Sequence, residues 1–167
     1  MIIVSDTTPL HYLILIGEQD LLPSLFGRVI IPQAVVMELQ RSETPETIRK
    51  WMSTPPEWLE VRSPALIDPT LNLGAGECEA ISLAQEVSAD HLLLDDLKAR
   101  KAALARGLSV LGTLNVLDAA AAKGMIDLPD AVRRVRQTNF RISTSLIQEI
   151  LKRDAERKRQ QFLEKSL

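Results

Sequence analysis

One cysteine and two histidines are all the nitrogen and sulfur metal ligands that this 167-residue chain possesses. Cys78 has no partner for an internal disulfide, and no zinc set can be assembled from one Cys and two His, so a reducing compartment is the natural setting. An apolar run near the roughly 18 residues of a membrane span is also missing. The start, MIIVSDTTPL, carries neither the basic head nor the small-residue cleavage site of a signal peptide. A cytoplasmic chain with no membrane partner is expected. Nor is there an excess of positive charge: 20 Lys and Arg against 22 Asp and Glu give a formal net charge of −2. That balance excludes the broad basic footprint of a protein that coats nucleic acid, so any contact with a polyanion must be local.

With 46% apolar residues, the length suffices for one complete core and is short for two domains. Charge is unevenly spread. Residues 1–132 hold 18 acidic and 10 basic side chains, a net of −8, whereas residues 133–167 hold 4 and 10, a net of +6. Short β-branched or leucine-rich runs at 2–4, 29–31, 59–61, 91–94 and 110–111 read as strands, the third of them at an edge. Helical patterns lie between them at 10–16, 21–26, after Pro32, at 46–52, after Gly76 and at 97–106. An alanine-rich helix follows at 114–123 with Gly124 as its left-handed cap, then two more helices from Leu128 and Ser143. Strands alternating with helices of about ten residues predict a parallel sheet covered on both faces, because parallel strands need helical crossovers. In such sheets ligands bind beyond the carboxyl ends of the strands, where strand order reverses.

Asp6, Asp95 and Asp96 fall at strand ends of that kind, and the helices after Pro32 and Gly76 supply Glu38, Glu77 and Glu79. Carboxylates brought into one pocket repel one another unless cations neutralise them, and hard oxygen donors without a Cys or His cluster suit Mg²⁺ or Mn²⁺. Two such ions clamp the attacking and leaving oxygens of a phosphodiester displacement. Each acid also has a plainer reading. Asp6 is well placed to cap a helix, Glu38 borders the buried Val35, Val36, Leu39 stripe, Glu77 complements a helix dipole, and one of Asp95 and Asp96 caps the helix that follows. Glu77 and Glu79 point about 200° apart on a helix and are not expected to share a metal.

The ordered segments VSDTTPLHYL, FGRVIIPQAVVMEL, LGAGECEAISLA and LLLDDLKARKAALARGLSVLGTLNVLDAAAAKGMI together resemble the PIN-domain family. The likeness is to a PIN-like bacterial and archaeal subfamily, similar to the ribonuclease toxins of toxin-antitoxin pairs. It implies a three-layer α/β/α fold with a central parallel sheet and a Mg²⁺- or Mn²⁺-dependent endoribonuclease, with an RNA substrate, a cognate antitoxin and a homodimer as its partners. By the same resemblance Asp6 is the first acid and Glu38 the second, Glu77 or Glu79 the third, and Asp95 or Asp96 the fourth, with Thr8 supporting the first. Many members carry Thr two residues before the last acid, where this chain has Leu94 if Asp96 is the ligand. Lys98 and Arg100 are candidates to hold RNA phosphates. The nuclease core is expected over residues 1–126, with a helical extension and basic tail over residues 127–167. The competing reading is a PIN-like RNA- or protein-binding regulator without activity. A phosphotransferase of the haloacid-dehalogenase type would need a second Asp where Thr8 stands.

Overall fold

The computed structural model describes residues 1–167 in the order β1 (Ile3–Ser5), α1 (Thr7–Leu15), α2 (Leu21–Phe26), β2 (Val29–Ile31), α3 (Gln33–Leu39), α4 (Glu46–Ser53), β3 (Leu59–Val61), α5 (Ala75–Glu86), β4 (His91–Leu93), α6 (Leu97–Ala105), β5 (Val110–Leu111), α7 (Thr113–Ala122), α8 (Leu128–Arg136) and α9 (Thr144–Lys165). It divides into two compact units, Met1–Thr113 and Leu114–Leu167. The second unit takes in most of the alanine-rich helix together with the two helices that follow it. Asp118 of α7 is bonded by Arg157 of α9 at 2.6 Å and approached by Arg153 at 3.5 Å, which ties α7 to the carboxyl-terminal helix.

The first unit is built on a five-stranded, all-parallel sheet in the order β3-β2-β1-β4-β5. β1 and β2 are buried throughout, as strands covered on both faces must be, while β3 and β5 at the edges are only partly so. Val4, Ile30, Leu92 and Leu94 pack with Ala80, Ile81, Leu83 and Ala84 of α5 and Ala99 and Ala103 of α6. By strand alternation Ile3, Val29, Ile31 and Leu93 turn to the opposite face, where they too are buried. Sheet and helices make the three-layer α/β/α arrangement. Each fully buried Leu or Ile contributes about 2 kcal/mol of apolar transfer, so this sheet is the rigid part of the unit.

Helix α1 starts at Thr7, earlier than the apolar pattern indicates, because Pro9 lies in its first turn. There the missing N–H costs nothing and the fixed φ suits the helix. The register Ser5↔Leu93 and the bond from the Asp6 N–H to the Leu93 carbonyl (2.9 Å) bring the ends of β1 and β4 side by side. Strand order reverses at this point, with β2 and β3 added on one side of β1, then β4 and β5 on the other.

In the second unit, Ile147 and Ile150 of α9 are buried, as are Leu128, Ala131, Val132 and Val135 of α8. Much of the basic tail is spent internally. Arg133 and Arg134 pair with Asp130, Arg157 with Asp118, and Lys158 with Asp154 and Asp127.

Candidate active site

At the reversal point the first residue beyond β1 is Asp6. Its side chain is only 3% exposed, and its Oδ1 atom is buried without any hydrogen-bond partner. Burial raises the carboxyl from its ordinary value of 3.8 to about 7; the Thr7 backbone amide works against this, and the charges of Glu77, Glu38 and Asp95 add to it. Asp6 stands at the N-cap position of α1 but makes no side-chain cap bond. The capping reading of Asp6 therefore fails. An orphaned carboxylate oxygen in a buried site is costly unless a proton or a cation occupies it.

Glu38 reaches the same place from α3 and is fixed by two donors. The Thr7 hydroxyl donates to Oε2, and the Gly76 N–H donates to Oε1 at 3.1 Å. Gly76 lies in the first turn of α5, so the helix dipole favours the negative charge there. A Cβ at Gly76 would stand 2.7 Å from Oε2 and 2.8 Å from Oε1, so any other residue there would displace the Glu38 carboxylate. Thr7, not Thr8, is the residue whose hydroxyl holds a site carboxylate. With the helix starting at Thr7, its hydroxyl lies against α3.

Asp95, beyond the end of β4, is held on both oxygens by Thr113, whose N–H donates to Oδ1 at 2.8 Å and whose hydroxyl donates to Oδ2 at 2.6 Å. Burial raises its pKa, while these two bonds and the charge of Arg100 lower it. Asp96 turns away to cap α6 by accepting from the Ala99 N–H at 2.9 Å. The two adjacent acids have thus separated their roles as the sequence allowed, with Asp95 inside and Asp96 at the rim.

Glu77 lies in the first turn of α5 and accepts from the Gly74 N–H at 3.2 Å. Burial raises it first; the charges of Asp96 and Glu38 add to this, and Lys98 offsets it. Glu79 leaves the cluster and accepts from the Ala34 N–H at 3.0 Å, at the N-terminus of α3. α3 and α5 therefore exchange acids reciprocally: Glu38 serves the start of α5, and Glu79 the start of α3. Arg100, a candidate for phosphate, instead donates to the Leu94 carbonyl at 2.9 Å and braces the end of β4. Lys98 is exposed and close enough to Glu77 to lower its pKa.

Asp6, Glu38, Glu77 and Asp95 are thus gathered in one acidic site, with Asp96 at its edge. As the side chains lie, no three His, Cys, Asp or Glu residues close on a single ion. The donor set nevertheless fits a hard divalent cation in chemistry: oxygen ligands only, three carboxylates whose charges fall on a fourth, and one buried oxygen with nothing bound to it. Thr7, Gly76 and Thr113 were not singled out from sequence. The signal for Thr113 was available, since it follows the strand at 110–111 just as Asp6 follows the first strand.

A family model described as a PIN domain matches residues 2–156. Among solved structures, a PilT N-terminus domain protein from the hyperthermophilic archaeon Sulfolobus solfataricus P2 is similar with a TM-score of 0.50 and 17% identity, over 86% of this chain and 100% of that one. At that identity the likeness speaks to the fold. No curated protein matches the sequence.

Proposed function

The chain belongs to the PIN-domain family, typically nucleases, and on that premise we propose that it hydrolyses RNA phosphodiester bonds with divalent cations held by Asp6, Glu38, Glu77 and Asp95. The observation that carries this reading is the buried Oδ1 of Asp6, without a partner, at the strand-order reversal among three other acids. Without a cation Asp6 is about half protonated near neutral pH, and its ionised form repels a phosphodiester. Bound there, one or two Mg²⁺ or Mn²⁺ ions supply the positive charge that the phosphodiester and its attacking water require.

The chain's own contribution is orientation. Thr113 fixes both oxygens of Asp95, Thr7 and Gly76 fix both oxygens of Glu38, and each carboxylate oxygen keeps a lone pair free for a further ligand. Asp6 alone waits for its ligand. Its position on the rigid end of β1 spares it the cost of being ordered when that ligand arrives.

The second reading is an RNA or protein binder without cleavage. Titrating Mn²⁺ against the melting temperature and against cleavage of a mixed RNA panel separates the two. The nuclease reading expects Mn²⁺ to raise the melting temperature of the parent, to switch on cleavage, and to do neither in Asp6→Asn. RNA binding with no cleavage at saturating Mn²⁺ would establish the binder instead.

A further inference from the structure

An open furrow of about 450 Å³ runs from the acidic site between α1 and the turn that follows α3, lined by Thr7, His11, Glu38, Arg41, Glu43 and Thr44. Thr7 and Glu38 belong to the site itself; His11, Arg41, Glu43 and Thr44 lie outside the acidic cluster. We propose that this furrow is the subsite for the RNA strand next to the cleaved bond, with Arg41 holding the adjoining phosphate and the His11 ring facing its base. The proposal rests on the nuclease reading above and names how its substrate is held.

Three observations support it. Arg41 is exposed and makes no ion pair or side-chain hydrogen bond within the chain. By contrast Arg62, Arg100 and Arg106 are bonded to Glu60, to the Leu94 carbonyl and to Asp68 respectively. A planar guanidinium left free beside a catalytic cluster, in a body whose charge is otherwise acidic, is suited to a phosphate. Second, its backbone is pinned. The Thr44 hydroxyl donates to the Glu38 carbonyl at 3.0 Å, the Thr44 N–H to the Arg41 carbonyl at 3.0 Å, and Arg49 Nε to the Thr44 carbonyl at 2.9 Å. The turn thus carries Arg41 on a fixed base joined directly to Glu38. Third, His11 lies four residues after Thr7 on the same face of α1, half-buried against the Tyr12 ring at 4.7 Å between centroids. A ring so held offers a face to an unstacked base, which is how single-stranded RNA is gripped without reading its sequence. The volume is in the range that encloses a ligand of nucleotide size. Glu43, the remaining charge, stands exposed and opposes a phosphate.

The test uses anisotropy of a fluorescently labelled single-stranded RNA of mixed sequence with Mn²⁺ and the Asp6→Asn chain, in which the RNA stays intact. Adding Arg41→Gln should weaken binding about tenfold. It should also flatten the salt dependence of log Kd by about 0.7, the value for one phosphate contact on a single strand. Arg41→Lys should restore the salt slope. Glu43→Gln should tighten binding, the opposite sign, which no loss of folding produces. Arg28→Gln, just ahead of β2 at the other end of the strands, is the control and should change neither quantity. Unchanged affinity and slope in Arg41→Gln, or an equal loss in Arg28→Gln, overturns the furrow assignment while leaving the nuclease reading intact. A parent that neither binds nor cuts RNA, or an Asp6→Asn chain that still cuts it, overturns the nuclease reading and the furrow with it.

Discussion

Replacing Asp6 by Asn should make the metal-free protein more stable at alkaline pH, and the size of the effect follows from burial. Raising the carboxyl from 3.8 to about 7 corresponds to about 4 kcal/mol between its two ionisation states. Unfolded, the group loses its proton near 3.8; folded, it keeps that proton until about 7. Between these values the folded state binds more protons, so stability is fully present at acid pH and is lost as the pH rises through the folded value. Asp95 and Glu77 are shifted in the same direction, so the parent's stability falls by more than the Asp6 share. The difference between parent and Asp6→Asn isolates that share, because Asn does not titrate. Any cost of burying the amide N–H₂ is independent of pH and leaves the slope alone. In chelator, the stability of Asp6→Asn relative to the parent should rise by about 3 kcal/mol from about pH 5 to about pH 8. Urea unfolding at a series of pH values measures it. A difference that stays flat with pH would refute the burial argument, whatever its average size. With saturating Mn²⁺ the order at alkaline pH should reverse, since a ligand bound only by the native parent adds RT ln(1 + [L]/Kd) to its stability.

Three further substitutions separate the acids from their supports. Gly76→Ala puts a Cβ 2.7 Å from Glu38 Oε2, so the carboxylate must move; a stability loss of about 1–3 kcal/mol in urea melts and a cleavage rate down at least about tenfold are expected. Thr113→Val keeps the shape of a fully buried residue but removes the 2.6 Å bond to Asp95, costing about 2 kcal/mol and raising the Asp95 pKa further, which a shift of the pH–rate profile to higher pH would report. Glu79→Ala removes the acceptor of the Ala34 N–H and should cost about 1 kcal/mol while RNA cleavage is retained; lost cleavage in a folded variant would return Glu79 to the site.

The fold was legible because its signals are local. Runs such as Ile2–Val4 and Val29–Ile31 are apolar on both faces, which only a doubly covered strand tolerates, and the helices between them leave a parallel sheet as the one economical arrangement. Boundaries were less legible where two rules compete. Pro9 reads as a helix start, yet Pro is accepted anywhere in a first turn, so α1 begins two residues before it. The tie between α7 and α9 was illegible for another reason. It joins Asp118 to Arg157 across 39 positions, and no periodicity encodes a pairing of that range.

The acids show how far spacing goes toward a site. Helical geometry alone separates Glu77 from Glu79, since side chains about 200° apart face different neighbours. It did not say which of them turns inward, because that is decided by α3: the Ala34 N–H claims Glu79, and the start of α5 lies open to Glu38. The same holds for Asp95 and Asp96, where the choice is made by Thr113 at the end of a strand distant in sequence. Glu38 and Asp95 have both oxygens matched to protein donors, and Glu77, Glu79 and Asp96 have one each, which makes the buried, unmatched oxygen of Asp6 informative. Asp6 stands at an N-cap without capping, beside a sheet end whose neighbouring carboxylates are already supplied, and its Oδ1 is left with no partner. A chain that invests two threonines and a glycine in orienting Glu38 and Asp95, yet leaves a buried oxygen of Asp6 without a partner, is arranged for a ligand that arrives from outside.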